Sequence, residues 1–135
     1  MTITLMKTTK GRVCGGYLQS AWKKASWEYG SDPSAFLFTL DHRRKLTPTD
    51  PKMAVFFHLG KGGGPAFMNS LSVELNQMMN APDNCICWTV ESTDNIYNVP
   101  TDSSGNSLLT GDGAGKDDSS KTFTLAGIET WSVIY

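Results

Sequence analysis

No run in these 135 residues approaches the roughly 20 consecutive apolar side chains that a membrane-crossing helix needs. The opening MTITLMKTTKG alternates apolar and polar residues and is too short for a secretory signal. Membrane insertion is therefore not expected, and residence in the cytoplasm is. An excess of one charge is missing as well: 12 basic against 13 acidic side chains leave a net charge of -1. That balance carries no electrostatic footprint for nucleic acid or an anionic bilayer. The nearest basic cluster, His42-Arg43-Arg44-Lys45, directly follows a predicted strand and reads as a solvated turn. Cysteine is scarce and odd in number, with only Cys14, Cys85 and Cys87, which excludes the dense framework of a small secreted domain. One intervening residue between Cys85 and Cys87 is poor geometry for a mutual disulfide. With only His42 and His58 elsewhere, no second half of a zinc site is visible. Reduced thiols, no metal and no cofactor are the expectation. A long amphipathic helical pattern is also absent.

What is present is a series of short β patterns. Residues 2–7 place Ile3 and Leu5 against Thr2 and Thr4, the period-2 signature of a half-buried strand. A turn through Gly11 leads to a returning strand at 13–17, so residues 2–17 read as a hairpin. Gly15-Gly16 inside that strand marks a bulge or the close approach of another backbone. Residues 19–30 carry Trp22, Trp27 and Tyr29 among Ser, Lys and Gly, and read as an irregular loop. A Trp in such a loop is first a plug at the core edge and second an interaction anchor.

Residues 35–40 form a strand apolar on both faces, as for a central strand, with Phe36 and Phe38 expected to fill the interior. Residues 45–52, with Pro48 and Pro51, read as a connection, and 53–59 as a buried strand ending at His58. GKGGGP at 60–65 has its Lys before the glycines and no Ser or Thr after it, so it reads as a flexible turn and not a phosphate cradle. A half-exposed strand is expected at 71–75, with short ones at 86–90 and 96–99. Leu108-Leu109 would anchor a polar loop to the core. Residues 110–120 are the least ordered expected part, and Asp112, Asp117 and Asp118 lack the ladder of a calcium loop. The closing 122–135 is strand, with a bulge or bend at Ala126-Gly127. Its alternation puts Glu129 on the face of Trp131, which would partly bury a carboxylate. The fold class is mainly β (α+β): an antiparallel β-sandwich of two sheets with a few short helices.

These segments together resemble a TLDc domain. The resemblance rests on a hairpin ending in a small-residue Gly-Gly-aromatic strand, on Ser20-Ala21-Trp22, and on Ser31-Asp32-Pro33-Ser34-Ala35-Phe36-Leu37-Phe38-Thr39-Leu40. It continues through Gly64-Pro65-Ala66-Phe67 ahead of the 71–75 strand and closes on Phe123-Thr124-Leu125 with Ile128-Glu129-Thr130-Trp131. In order and spacing it covers nearly the whole chain. The Asn/Ser-rich segment before Leu108-Leu109-Thr110-Gly111 is similar to protist versions of the domain. Cys14 stands where the family often has Phe, and Ala66-Phe67-Met68 where Phe-Gly commonly follows Gly-Pro. The family's domain usually starts with a helical, leucine-rich segment, so the expectation is one TLDc-like domain over residues 1–135 without that segment.

The resemblance implies a non-catalytic interaction module associated with oxidation resistance, with a protein partner in the peripheral sector of the vacuolar-type proton ATPase. The residues agree to this extent: catalysis needs converging acid, base or nucleophile, and Glu129, His58, Cys14 and Asp32 fall on different predicted elements with no diagnostic spacing. The candidate binding residues are Trp22, Trp27, Tyr29, Pro65, Phe67 and Glu129. The alternative is a thiol-based redox or small-ligand enzyme using Cys14 or the Cys85/Cys87 pair, with Lys10 and Arg12 near Cys14 in sequence.

Overall fold

The computed structural model describes residues 1–22, 28–57, 63–74, 84–86, 96–112 and 122–134. Strand β1 (Thr2–Thr8) and strand β2 (Val13–Leu18) form the expected hairpin. Gly11 at φ 81° makes the turn, a left-handed conformation that glycine adopts without steric cost. Next come β3 (Glu28–Gly30), β4 (Phe36–Thr39), β5 (Arg44–Leu46) and β6 (Val55–Phe57). After them run β7 (Gly63–Phe67), β8 (Leu71–Glu74), β9 (Asn84–Ile86), β10 (Thr122–Phe123) and β11 (Leu125–Ser132). All described pairings are antiparallel, in a five-stranded sheet β11-β1-β2-β4-β5, a four-stranded sheet β10-β9-β8-β7 and the pair β3-β6. Single 3-10 turns at Pro51–Met53 and Met68–Ser70 are the helical content among the described residues. The protein is a mainly β fold of antiparallel sheets.

Register decides which side chains share a face. One set of cross-strand partners runs Thr130–Thr4–Gly16–Leu37–Leu46 and the next inner set Ile128–Met6–Cys14–Thr39–Arg44. Thr4, Met6, Cys14, Gly16, Leu37, Thr39 and Leu46 are buried, so this is the inner face. It shares one core cluster with Val55 and Phe57 of β6 and with Phe67, Leu71, Val73 and Phe123 of the smaller sheets. Each fully buried aliphatic side chain there contributes about 1.5–3 kcal/mol. The opposite parity, Trp131–Ile3–Tyr17–Phe36 and Glu129–Leu5–Gly15–Phe38–Lys45, forms the outer face.

That parity corrects the expectation for β4. Leu37 and Thr39 fill the interior, while Phe36 and Phe38 are half-buried on the outer face. With apolar residues at both parities, β4 carries no internal signal for its own orientation, and pairing with β2 sets it. The bulge near Ala126-Gly127 is present: Lys7 pairs with Gly127 but Thr8 with Leu125, leaving Ala126 as the extra residue. Of the two readings of Gly15-Gly16, a bulge is absent, since both glycines pair in unbroken register with β1 and β4, and close approach is what the packing shows. A Cβ at Gly15 would overlap the Thr4 carbonyl oxygen, and one at Gly16 would fall against the Phe67 ring.

Four further readings are corrected. Arg44–Leu46 is a strand and not part of a connection, because β4 offers it a ladder. Glu28–Gly30 at the end of the aromatic loop is a strand paired with β6. Gly63–Pro65 belongs to β7 and not to a flexible turn. Residues 96–99 form a turn with Asn98 at φ 49°, which sends Tyr97 and Val99 into the core. At 86–90, the described strand is Asn84–Ile86 and the rest lies outside the described residues.

The polar segment 96–112 is fastened at both ends. Leu109 is fully buried and Leu108 nearly so, as expected of the anchor. The Thr8 hydroxyl donates to the Thr110 carbonyl at 2.8 Å, and Arg12 reaches the Asp102 carboxylate at 3.1 Å. Asp102 in turn accepts from the Ser104 and Asn106 amides at 2.9 and 3.0 Å, closing its loop on itself.

Candidate functional site

The aromatic loop starts at Gln19 and Ser20 and returns to the sheet at Ser34-Ala35, and one buried carboxylate ties these ends together. Asp32 Oδ2 accepts from the Gln19 amide (2.7 Å), the Ser20 amide (2.8 Å) and the Ser20 hydroxyl (2.8 Å). Its Oδ1 accepts from the Ser34 amide at 2.9 Å, the local turn that Asp favours ahead of a strand. Burial pushes the Asp32 carboxyl up, but hydrogen bonds from Ser20, Ser34 and Gln19 outweigh it and hold the group below its ordinary range. Asp32 is ionised, and the loop closes around that charge.

Trp22 sits inside this loop as a plug. Its ring is half-buried and meets Phe67 and Phe57 edge-on, with centroids 5.5 and 6.2 Å away. The indole N–H donates to the Thr2 hydroxyl at 2.9 Å, so the polar edge is satisfied while the apolar body is packed. Phe67 continues the chain of rings to Tyr97, 6.2 Å away and also edge-on. Tyr97 is almost fully buried; its hydroxyl donates to the Ala54 carbonyl at 2.6 Å and its amide donates to the Ser70 hydroxyl oxygen at 3.1 Å. Burial, then the charge of Asp32, pushes the Tyr97 phenol upward, so it stays protonated and holds that bond. Pattern reading passed over Tyr97, because its partners lie 27 and 43 positions away in the chain. The Asp-Pro step before a strand was the available signal for Asp32.

The remaining candidates separate. Phe67 has no exposed surface, so it supports the loop from beneath and does not form its outside. Pro65 is half-buried in β7. Tyr29 is 53% exposed and lies 5.3 Å from the Phe56 ring, a surface aromatic pair on β3 and β6. Trp27 lies outside the described residues. Glu129 stands apart on β11 at the edge of the other sheet. It is exposed and not partly buried as expected, because its neighbour Trp131 is itself 61% exposed and donates its indole N–H to the carboxylate at 3.1 Å. The structure brings Trp22 and Phe67 together, keeps Tyr29 on the surface and separates Glu129 from them.

Of the groups in the thiol reading, Cys14, Lys10 and Arg12 lie among the described residues. Cys14 is fully buried in the core, where a thiol lacks the electropositive, accessible setting that activates it. The side chain of Cys85, and Cys87 and His58 altogether, lie outside the described residues. His42 contacts the Arg12 guanidinium through Nε2. Among the described residues, no three His, Cys, Asp or Glu side chains are grouped to hold a metal ion, and no helix is long and apolar enough to cross a membrane.

The fold and these sites define a β-sheet module in which Asp32 and Tyr97 bind structural partners and aromatic side chains such as Tyr29 and Trp131 are exposed. The family model of the TLDc domain matches residues 1–134, and the chain belongs to that family. The comparison with curated proteins found no significant match.

Proposed function

We propose that this chain is a non-catalytic interaction module that binds the peripheral sector of the vacuolar-type proton ATPase in the cytoplasm and takes part in resistance to oxidative stress. Membership of the TLDc family is the observation that carries this reading. The chemistry of the described residues supports it: Asp32 is consumed by four loop hydrogen bonds, Tyr97 by a core carbonyl, and Cys14 by burial. Of the candidate contacts, Tyr29 with its neighbour Phe56 is the exposed aromatic element, while Trp22 packs on Phe57 and Phe67. Pro65, Trp27 and Glu129 complete the proposed contact set. The test is capture of purified peripheral-sector subunits on the immobilised chain. Retention is expected, and it is expected to weaken at least tenfold in Tyr29→Ala with the thermal transition unchanged. No retention of any subunit by the folded chain would overturn the proposal.

A further inference from the structure

The five-stranded sheet ends on β11, which pairs with β1 alone. Two bonds fix which of its backbone groups that pairing uses. The Val133 amide donates to the Met1 carbonyl at 3.1 Å, and the Thr8 amide to the Arg12 carbonyl at 2.9 Å. Bonding alternates along an antiparallel ladder, so the odd-numbered residues of β1 exchange bonds with β11 and the even-numbered ones with β2. Gly127, Glu129 and Trp131 therefore turn their backbone groups to β1, whereas Ile128, Thr130 and Ser132 turn theirs outward. Each of these three offers one N–H and one C=O, and among the described residues no strand lies there to take them. Thr130, Trp131 and Ser132 are exposed, so the edge is open to solvent.

Sheet edges are ordinarily guarded by shortness, by cations or by proline, and the other edges among the described residues follow that rule. β5, on the far side of the same sheet, has three residues, of which Arg44 and Lys45 are exposed cations. β7 carries Pro65, which has no N–H to offer, and β10 is two residues long. β3 and β6 have three residues each. β11 departs from the rule with eight residues and no Lys, Arg or Pro. The bulge at Ala126 interrupts its ladder near the start and leaves 128–132 regular. Its one charge, Glu129, accepts from the Trp131 indole at 3.1 Å.

We propose that β11 pairs antiparallel with β11 of a second copy of this chain about a two-fold axis at Thr130, joining the two five-stranded sheets into one. The inference goes beyond the proton-pump reading and does not depend on it. Self-complementarity selects this occupant. With the axis at Thr130, Thr130 faces Thr130 of the second copy and Ile128 faces its Ser132. All of these are hydrogen-bonded pairs, so every outward N–H and C=O from 128 to 132 finds a partner in both copies. Glu129 falls opposite Trp131 of the second copy, which places each carboxylate between two indole rings and opposes no like charges. The Thr4–Thr130 hydroxyl contact at 3.3 Å is continued across the axis by a Thr–Thr pair, a favourable cross-strand neighbour. Other axes fit less well. One at Glu129 opposes the two carboxylates directly, and one at Ile128 sets Thr130 against the bulged Ala126. One at Trp131 sets Glu129 opposite Val133, which offers the carboxylate no donor. A foreign strand would meet the same backbone groups, but the opposed Glu129 and Trp131 make a second β11 complementary in its side chains as well. Each chain has one such edge, so pairing consumes both and the assembly closes at two.

The test is sedimentation velocity of the purified chain over a concentration series, with the thermal transition as the control for folding. The wild-type chain is expected to show a concentration-dependent dimer. Thr130→Lys sets two cations face to face at the axis, and Thr130→Pro removes an outward N–H without touching a bond to β1. Each is expected to weaken the dimer by roughly tenfold or more. Mixing Thr130→Lys with Thr130→Glu is expected to restore association as a heterodimer, a result that loss of folding cannot give. In a Cys85→Ser, Cys87→Ser background, Thr130→Cys is expected to cross-link two copies on mild oxidation. The proposal is overturned by a chain that stays monomeric throughout, by a dimer that Thr130→Lys and Thr130→Pro leave unchanged, or by a Lys and Glu mixture no more associated than either variant alone. Cross-linking through Trp131→Cys but not through Thr130→Cys would overturn the axis and the proposal with it. Capture of extended peptides by a monomeric wild-type chain, lost in Thr130→Pro, would overturn it in favour of a partner's strand.

Discussion

At the scale of single residues, Asp32 illustrates how a buried charge becomes structural. Its carboxylate bridges the two ends of the aromatic loop, and its pKa is held below the ordinary value. A group whose folded pKa is depressed stabilises above its unfolded value, near 3.9, and loses that contribution as pH falls through the folded value. Asp32→Asn replaces an acceptor with an amide that faces two amide donors, and should cost on the order of 2 kcal/mol at neutral pH. Urea unfolding at a series of pH values should show the two proteins converging below about pH 4. A constant gap down to the acid end would show that ionisation is irrelevant. Gly16 makes a steric case: Gly16→Ala sets a methyl against the Phe67 ring and should destabilise by about 1–3 kcal/mol, largely restored by adding Phe67→Leu. Cys14 supplies the chemical case. In a Cys85→Ser, Cys87→Ser background its thiol, fully buried, should resist a disulfide reagent until denaturant is added. Rapid labelling of the folded protein would revive the thiol reading.

At the scale of elements, Trp22 ties the aromatic loop to the start of β1 through Thr2 and to β6 and β7 through Phe57 and Phe67. Trp22→Phe removes the indole bond but keeps a ring, and should cost about 1 kcal/mol, whereas Trp22→Ala should cost about 3. Thr2→Val should cost nothing further in the Trp22→Phe background, a non-additivity that a double-mutant cycle reads directly. Full additivity would mean the bond contributes nothing. The plug was legible in sequence because a large aromatic ring among Ser and Lys has few other places to bury itself. The strands β1, β2 and β8 were legible for a related reason, since Thr2–Thr8 and Leu71–Glu74 alternate in hydropathy. Other elements were not. Arg44–Leu46 reads as a charged turn because an edge strand keeps its cations in water, and the glycines of β7 hide its extended backbone. Phe36 and Phe38 read as core because hydrophobicity alone does not say which face a doubly apolar strand buries. The Tyr97–Phe67–Trp22 chain of rings joins three distant segments, and no local pattern encodes such contacts.

At the scale of the whole molecule, the chain closes on itself. Thr2 pairs with Ser132, and the Val133 amide donates to the Met1 carbonyl at 3.1 Å, so the first strand is completed by the last. Within the five-stranded sheet β1·β2, β2·β4 and β4·β5 are local pairings, while β1·β11 joins residues more than 110 positions apart, as Thr8 with Leu125 shows. Forming that ladder requires closing the longest loop in the chain before its contacts reward the closure, and such non-local pairing slows folding. A circular permutant should relieve this constraint. Joining residue 135 to Met1 by a short glycine linker turns β11-β1 into a hairpin. Opening the chain between Ser104 and Gly105 places the new ends in an exposed turn where Gly105 has φ 81°. The permutant is expected to refold faster than the parent in stopped-flow dilution from urea. Its unfolding rate should change less, since the native contacts of both chains are the same apart from the opened turn. Equal refolding rates would mean that closure of β11 on β1 follows the rate-limiting step, and that the nucleus lies within the local pairings of β1, β2 and β4.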